Sequence, residues 1–281
     1  MDNKRHNLKV VSKKIIIVNP FGIGDVVFST PVIENLKIAY PDSFIGYLCN
    51  ARTAPILQTN PKIDKVFIYE KDDWRKLWKE SKFKCIVDFI KFLSEIKKCK
   101  FDLAVDLSLG RHYSFFLWLF GVGKRYGFNY HNRGLFLTDK IDIEGYQDKH
   151  VIEYYLDLLH FMNLNPTAIE PKVYIDTAHS TWAEDFLKSK GINSDDYLIG
   201  VVPGGGVSWG KAVDIRRWAK EKFTQLADKI IGNFPVKMVI FGDKFELELC
   251  SSIVSGMKNK AVMIVGQTDL LQFVALLSKC N

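Results

Sequence analysis

Residues 15–31 read IIIVNPFGIGDVVFSTP. The β-branched run Ile15 to Val18 reads as a strand. Gly22 and Gly24 then mark a turn. Val26, Val32, Ile33 and Leu36 fall at helical spacing, so the pattern predicts a helix over 26–39. A strand that passes through a glycine turn into a helix is the opening unit of a parallel α/β sheet.

The alternation continues outward from this unit. Strands are predicted at 44–48, 65–69, 103–107 and 125–128, with helices at 74–98, 113–119 and 148–162. The polar segment 163–176, with Pro166 and Pro171, reads as a domain crossing. Beyond it the pattern restarts: helices at 182–188, 215–231, 245–257 and 269–278, strands at 197–202, 236–241 and 261–265. The expected organisation is two α/β units in tandem, 1–170 and 171–281. Three strands make a thin sheet, so a further strand is expected after Cys280.

Composition narrows the class. The chain has 281 residues, 47% hydrophobic and 25% charged, with a net charge of +7, as expected of a globular protein with an anionic partner. The densest apolar patch, FFLWLFG at 115–121, is too short to span a bilayer. The N-terminus has no secretory pattern, so a cytoplasmic address is expected. Five scattered cysteines without C-x-x-C read as reduced, mostly buried thiols, and the histidines lack zinc spacing. Part of the basic surplus lies between Trp74 and Lys100, where apolar residues recur among lysines. Two readings fit: a basic amphipathic helix on a membrane surface, and, more plainly, a surface helix with one buried stripe.

The first turn has the wrong grammar for a dinucleotide. The fingerprint needs glycine at 27, where Val27 stands, and an acid at the end of the second strand, which here reads Cys49-Asn50. The turn offers Asp25 instead. In one reading it is a helix N-cap. In the other, Gly22 and Gly24 clear bulk from a cleft, and Asp25 at the sheet edge accepts a proton from an attacking hydroxyl.

The second glycine loop, GVVPGGGVSWGKAVDIRRWAKEKF at 200–223, joins a strand to a basic helix start. Gly204, Gly205 and Gly206 with Ser208, Lys211, Arg216 and Arg217 suit an anion. A glycine turn beside a solvated basic face is the plainer alternative. The P-loop pattern is absent, because Ala212 follows Gly210-Lys211. Trp218 reads as a core anchor. Glu246, early in the helix after VIFGD, is either a ligand for a sugar hydroxyl or an acid favoured by the helix dipole.

With these stretches in order, together with NPKIDKVFIYE, KFDLAVDLS, GVGKRYGF and KHVIEYYLDLLHFMNL, the chain resembles glycosyltransferase family 9, the lipopolysaccharide heptosyltransferases. The resemblance implies two Rossmann-like parallel-sheet domains facing across a cleft, of the GT-B type. It implies an inverting, metal-independent transfer of a heptose, without a cofactor, from an ADP-heptose donor. The acceptor is an anionic lipid-linked oligosaccharide, and attachment is peripheral, at the inner face of the inner membrane. No nucleic acid is involved. Asp25 takes the place of the proposed base, Arg216 that of the donor-phosphate contact, and Glu246 that of the ribose contact. The acceptor side falls to Gly22, Gly24, Arg111 and His150.

The family continues with a strand and an N-D-S-G-x-x-H loop where this sequence stops. On that reading the chain is C-terminally truncated, its second domain is incomplete, and a polypeptide ending there transfers poorly or not at all. The alternatives are a two-domain nucleotide-sugar epimerase and a non-catalytic binding protein for sugar nucleotides or glycans.

Overall fold

The computed structural model of the chain describes residues 13–205 and 217–281. It divides into two compact units, Met1–Tyr174 and Ile175–Asn281.

Among its described residues the first unit has a parallel six-stranded sheet in the order β3-β2-β1-β4-β5-β6. Its strands are β1 (Lys14–Val18), β2 (Phe44–Cys49), β3 (Lys65–Ile68), β4 (Leu103–Asp106), β5 (Lys124–Tyr130) and β6 (Asp139–Ile143). The helices are α1 (Ile23–Phe28), α2 (Thr30–Ala39), α3 (Ala54–Gln58), α4 (Lys71–Glu80), α5 (Lys82–Lys98), α6 (Arg111–Leu119) and α7 (Val151–Phe161). The order reverses between β1 and β4, where Val18 pairs with Asp106. Such a reversal is where ligands of open α/β sheets bind.

Side-chain alternation explains both layers. Ile15 and Ile17 join Tyr47 and Val105 on one face, under Leu36 of α2 and Leu158 of α7. Ile16 and Val18 join Leu48 and Ala104 on the other, with Ile96 of α5 and Leu117 of α6. Residues 15–18 are at most 1% exposed, so each aliphatic side chain contributes about 1.5–3 kcal/mol. The strand β6 was not expected from the sequence. It is an edge strand, DKIDI, whose charges suit an unpaired border and mask the apolar signal.

Two long helices of the expectation are each divided. The 26–39 helix breaks at Ser29, whose hydroxyl bonds the Val26 carbonyl (2.8 Å) and the Tyr47 hydroxyl (2.6 Å); Pro31 lies in the first turn of the next helix, which Thr30 opens. The 74–98 helix breaks at Ser81, an extended residue whose hydroxyl caps α5 by accepting from the Lys84 amide.

The segment after α7 is laced to α2. The Asn35 carboxamide oxygen accepts from the amides of Thr167 (2.8 Å) and Ala168 (3.1 Å), and the Tyr174 hydroxyl reaches Glu34 (2.8 Å). Glu34 is 3% exposed and is also paired with Lys62.

The second unit has a parallel sheet β7-β8-β9 among its described residues. The strands are β7 (Tyr197–Val201), β8 (Val236–Gly242) and β9 (Val262–Val265). The helices are α8 (Thr177–Ser189), α9 (Lys220–Asn233), α10 (Leu247–Gly256) and α11 (Leu270–Leu277). Val239, Phe241 and Ile264 face α8 and α11, whereas Met238 and Ile240 face α9 and α10. The helix expected over 215–231 begins at Lys220 among the described residues, and the one expected from 245 opens with a 3-10 turn, Lys244–Glu246. Cys49, Cys85 and Cys250 are buried free thiols. Burial pushes Cys49 and Cys250 up to about 11. No helix among the described residues is long and apolar enough to cross a membrane.

Candidate functional site

The turn after β1 is held from beneath. Asn19, fully buried, donates through its carboxamide to the Asp25 carbonyl (3.1 Å) and accepts from the Phe21 amide (3.2 Å). Asn50, at the end of β2, donates to the carbonyls of Phe21 (2.5 Å) and Pro20 (3.2 Å). The residue that a dinucleotide site would make acidic is thus an amide that fastens the turn. This is a physical reason for its identity.

Asp25 is the third residue of α1, not its N-cap; Gly22 holds that place. The Gly22 amide donates to Asp25 Oδ2 at 3.1 Å. Oδ1 has no hydrogen-bond partner among the described residues, and the carboxylate is half-buried. A Cβ at Gly24 would meet nothing within 4 Å. Glycine at 24 therefore serves no packing need, and it keeps the surface beside Asp25 low. Beneath the turn, Tyr47, Tyr146 and Tyr155 are held protonated chiefly by burial, and the negative charge of Asp25 adds to the effect on all three.

Because the strands are parallel, the residues that follow them gather at one edge. Asp25 follows β1, Arg111 follows β4 and His150 follows β6. His150 caps α7 by accepting from the Ile152 amide (3.3 Å), and its ring lies edge-on to Phe28 of α1, 4.8 Å between centroids. Arg111 is exposed, and its guanidinium donates to the Asn132 carbonyl (3.4 Å). Leu109, His131 and Asn132 all have positive φ (55°, 45° and 58°) in loops at this edge. Such strain gathers where loops serve a site. The sequence signalled it in part, since His131 and Asn132 are residue types that favour this backbone and Leu109 is not.

Asp106 was missed. It ends β4 at the reversal of strand order and is 4% exposed. Burial pushes its carboxyl up to about 6, partly offset by hydrogen bonding from Ser108, whose amide lies 2.9 Å away. Its signal was an acid closing the otherwise apolar run LAVD.

In the second unit the corresponding edge carries the glycine loop. Gly204 and Gly205 are described; Gly206, Ser208, Lys211 and Arg216 lie outside the described residues. Glu246 is a first-turn acid, but of a 3-10 turn rather than an α-helix, where it completes a capping box with Asp243. It is 4% exposed and closes the 3-10 turn. Its Oε2 accepts from the Asp243 amide (3.0 Å), and its Oε1 lies 3.6 Å from the Arg217 guanidinium. A Cβ on Gly204 would fall 1.7 Å from Oε1, so the backbone at Gly204 lies directly against the carboxylate. Trp218 is 46% exposed and is no core anchor; it stands edge-on to Phe223 (5.3 Å) under the Lys222 ammonium. Among the described residues no three His, Cys, Asp or Glu side chains are grouped to hold a metal ion.

Comparison with known proteins bears on both units. The sequence model of glycosyltransferase family 9 (heptosyltransferase) matches residues 89–281. Lipopolysaccharide heptosyltransferase 3 of Escherichia coli is 33% identical over 85 residues, which span 30% of this chain and 23% of that relative. Lipopolysaccharide heptosyltransferase 2 of Escherichia coli strain K12 is 20% identical across 95% of this chain and 75% of its own length. The crystal structure of a family 9 glycosyl transferase from Veillonella parvula shares the fold, with a TM-score of 0.78 at 23% identity over 95% of this chain and 74% of that one.

Proposed function

The chain belongs to glycosyltransferase family 9, and we propose that it transfers a heptose from ADP-heptose to a hydroxyl of a lipid-linked core oligosaccharide, with inversion and without a metal. The supporting observation is the Asp25 carboxylate. One oxygen is held by the Gly22 amide, the other has no partner among the described residues, and the glycine beside it leaves open space.

In this reading the acceptor hydroxyl attacks the anomeric carbon. The new C–O bond forms as the bond to the diphosphate breaks, and the diphosphate leaves with the electron pair. The hydroxyl proton passes to Asp25 Oδ1. An ionised aspartate is a weak base, so transfer comes late, as the hydroxyl acidifies; such help is worth about 10²- to 10⁴-fold. The departing charge is met by cations and backbone amides of the second unit. Arg217, Arg216 and Lys211 are assigned to it, and Glu246 to the donor ribose. Arg111 and His150, at the edge that carries Asp25, are assigned to the acceptor.

The test is direct. The purified protein is incubated with ADP-heptose and heptose-deficient lipopolysaccharide, and the product is read by mass spectrometry. A gain of one heptose is expected. Donor consumption without acceptor would favour an epimerase, and neither product nor donor binding would favour a non-catalytic role.

A further inference from the structure

We infer that the outer face of α4 and α5 docks on an anionic lipid bilayer. An ordinary surface helix buries one apolar stripe and turns charge outward. The helix α5 has two apolar stripes. Its inward one, with Cys85, Phe89, Phe92 and Ile96, packs toward the sheet and α6, where Phe89 meets Phe116 at 5.7 Å. Its outward one is Phe83, Ile86 and Ile90, spaced by three and four so that they share a side. These three are 79%, 47% and 60% exposed. Trp78 of α4 is 47% exposed, with the Lys82 ammonium 5.9 Å from its ring centre. On the same side of the sheet, α6 leaves Trp118 and Leu119 half exposed.

Scattered exposed apolar residues are ordinary, but a continuous row is a sign of a partner. Charge identifies the partner here. Residues 71–100 carry ten basic side chains against five acidic ones. Lys84, Lys91 and Lys98, seven apart and all exposed, line one flank of the apolar row, and Lys82 and Lys97 lie near its ends. Aromatic and aliphatic side chains along a helix edged by lysines match the boundary between acyl chains and anionic headgroups. Among the described residues of α5 only Lys91 has a carboxylate in range, Asp88 at 3.3 Å. The inference rests on the proposed lipid-linked acceptor only for its purpose, since docking would hold the first unit at the surface that carries that acceptor.

The experiment uses the whole chain without donor or acceptor, so it fails or succeeds independently of the transfer reaction. Flotation is measured with vesicles of phosphatidylethanolamine and phosphatidylglycerol at roughly three to one, and with phosphatidylcholine alone. Binding to the anionic vesicles only, reversed in about 0.5 M salt, is expected. The variants Phe83→Ser/Ile90→Ser and Lys84→Glu/Lys91→Glu should each lower the partition coefficient about tenfold or more, with unchanged circular dichroism. Independently of any variant, vesicles should slow hydrogen exchange within 78–98. Absence of flotation, flotation that both variants retain, or a dimer that Phe83→Ser/Ile90→Ser dissociates would each overturn the proposal. The last would assign the face to a second copy of the chain.

Discussion

Gly204 and Glu246 share one space: a Cβ on the glycine would stand 1.7 Å from the carboxylate oxygen and 2.0 Å from the carboxyl carbon. The side chain it would strike is buried and held by the Asp243 amide and Arg217, so it has little room to yield. Gly204→Ala is expected to destabilise the second unit by about 1–3 kcal/mol through overpacking. Glu246→Ala removes the obstacle and costs stability in its own right, because the Asp243 amide loses its acceptor. In urea unfolding the double variant should be more stable than the sum predicts, with a coupling of about 1 kcal/mol or more. Strict additivity would show that the backbone at Gly204 does not rest on the carboxylate.

Asp25→Ala is expected to lower kcat by about 10²-fold or more while leaving donor affinity nearly unchanged. Asp25→Asn is the sharper variant. It retains an acceptor for the Gly22 amide at the oxygen now 3.1 Å away, but it accepts no proton. Loss of turnover in Asp25→Asn with an intact fold would place the effect on proton transfer. Full turnover would remove Asp25 from the reaction.

Asp106 gives a pH dependence of known sign. Its carboxyl titrates near 6 in the fold, against about 3.9 for an unperturbed aspartate. The folded state therefore holds this proton more tightly, and stability attributable to Asp106 falls as pH rises from about 4 to about 6. Above that window the penalty is complete, of order 3 kcal/mol at about 1.4 kcal/mol per pH unit. Asp106→Asn should match the parent near pH 4 and exceed it in stability at pH 7, in urea titrations at both values. Carboxylates common to both proteins cancel in the difference. Equal stability of the two at pH 7 would mean that the carboxylate is adequately solvated where it lies.

Much of the fold was legible because its signals are local. The run Ile15 to Val18 reads as a strand from composition alone, and the fold places it at the centre of the sheet, buried on both faces. Where tertiary contact decides, the reading failed. No local rule foresees that Ser29 bonds Tyr47 and divides a helix, or that DKIDI closes a sheet edge. The candidate site divides the same way. Asp25 stood out because glycines flank it. Asp106 did not, because its meaning comes from the neighbouring strand, and Glu246 was recognised without its burial. For Trp218, size suggested a core place that the fold does not give it.

Asn50 is the position where a dinucleotide enzyme would carry an acid, and the fold shows what an acid would do here. Its amide nitrogen donates to the carbonyls of Phe21 and Pro20, and its oxygen accepts from the Thr53 amide (3.2 Å). Asn50→Asp preserves the acceptor and replaces the donor with an oxygen that confronts two carbonyls at 6% exposure. Leaving such groups unsatisfied costs roughly 1–3 kcal/mol, more with a charge. Repulsion raises the pKa of the new carboxyl above its unfolded value, because the protonated form alone can donate. The penalty is therefore small below about pH 4 and grows as pH rises through the folded pKa. The Pro20–Phe21 carbonyls belong to the turn that positions Asp25, so turnover should fall with that loss, while donor affinity, assigned to the other unit, stays level. Asn50→Ala separates the contributions: it loses the hydrogen bonds without adding charge and should be destabilised to the same degree at every pH. An Asn50→Asp protein as stable as the parent from pH 4 to 8 would show that the turn is held by other means.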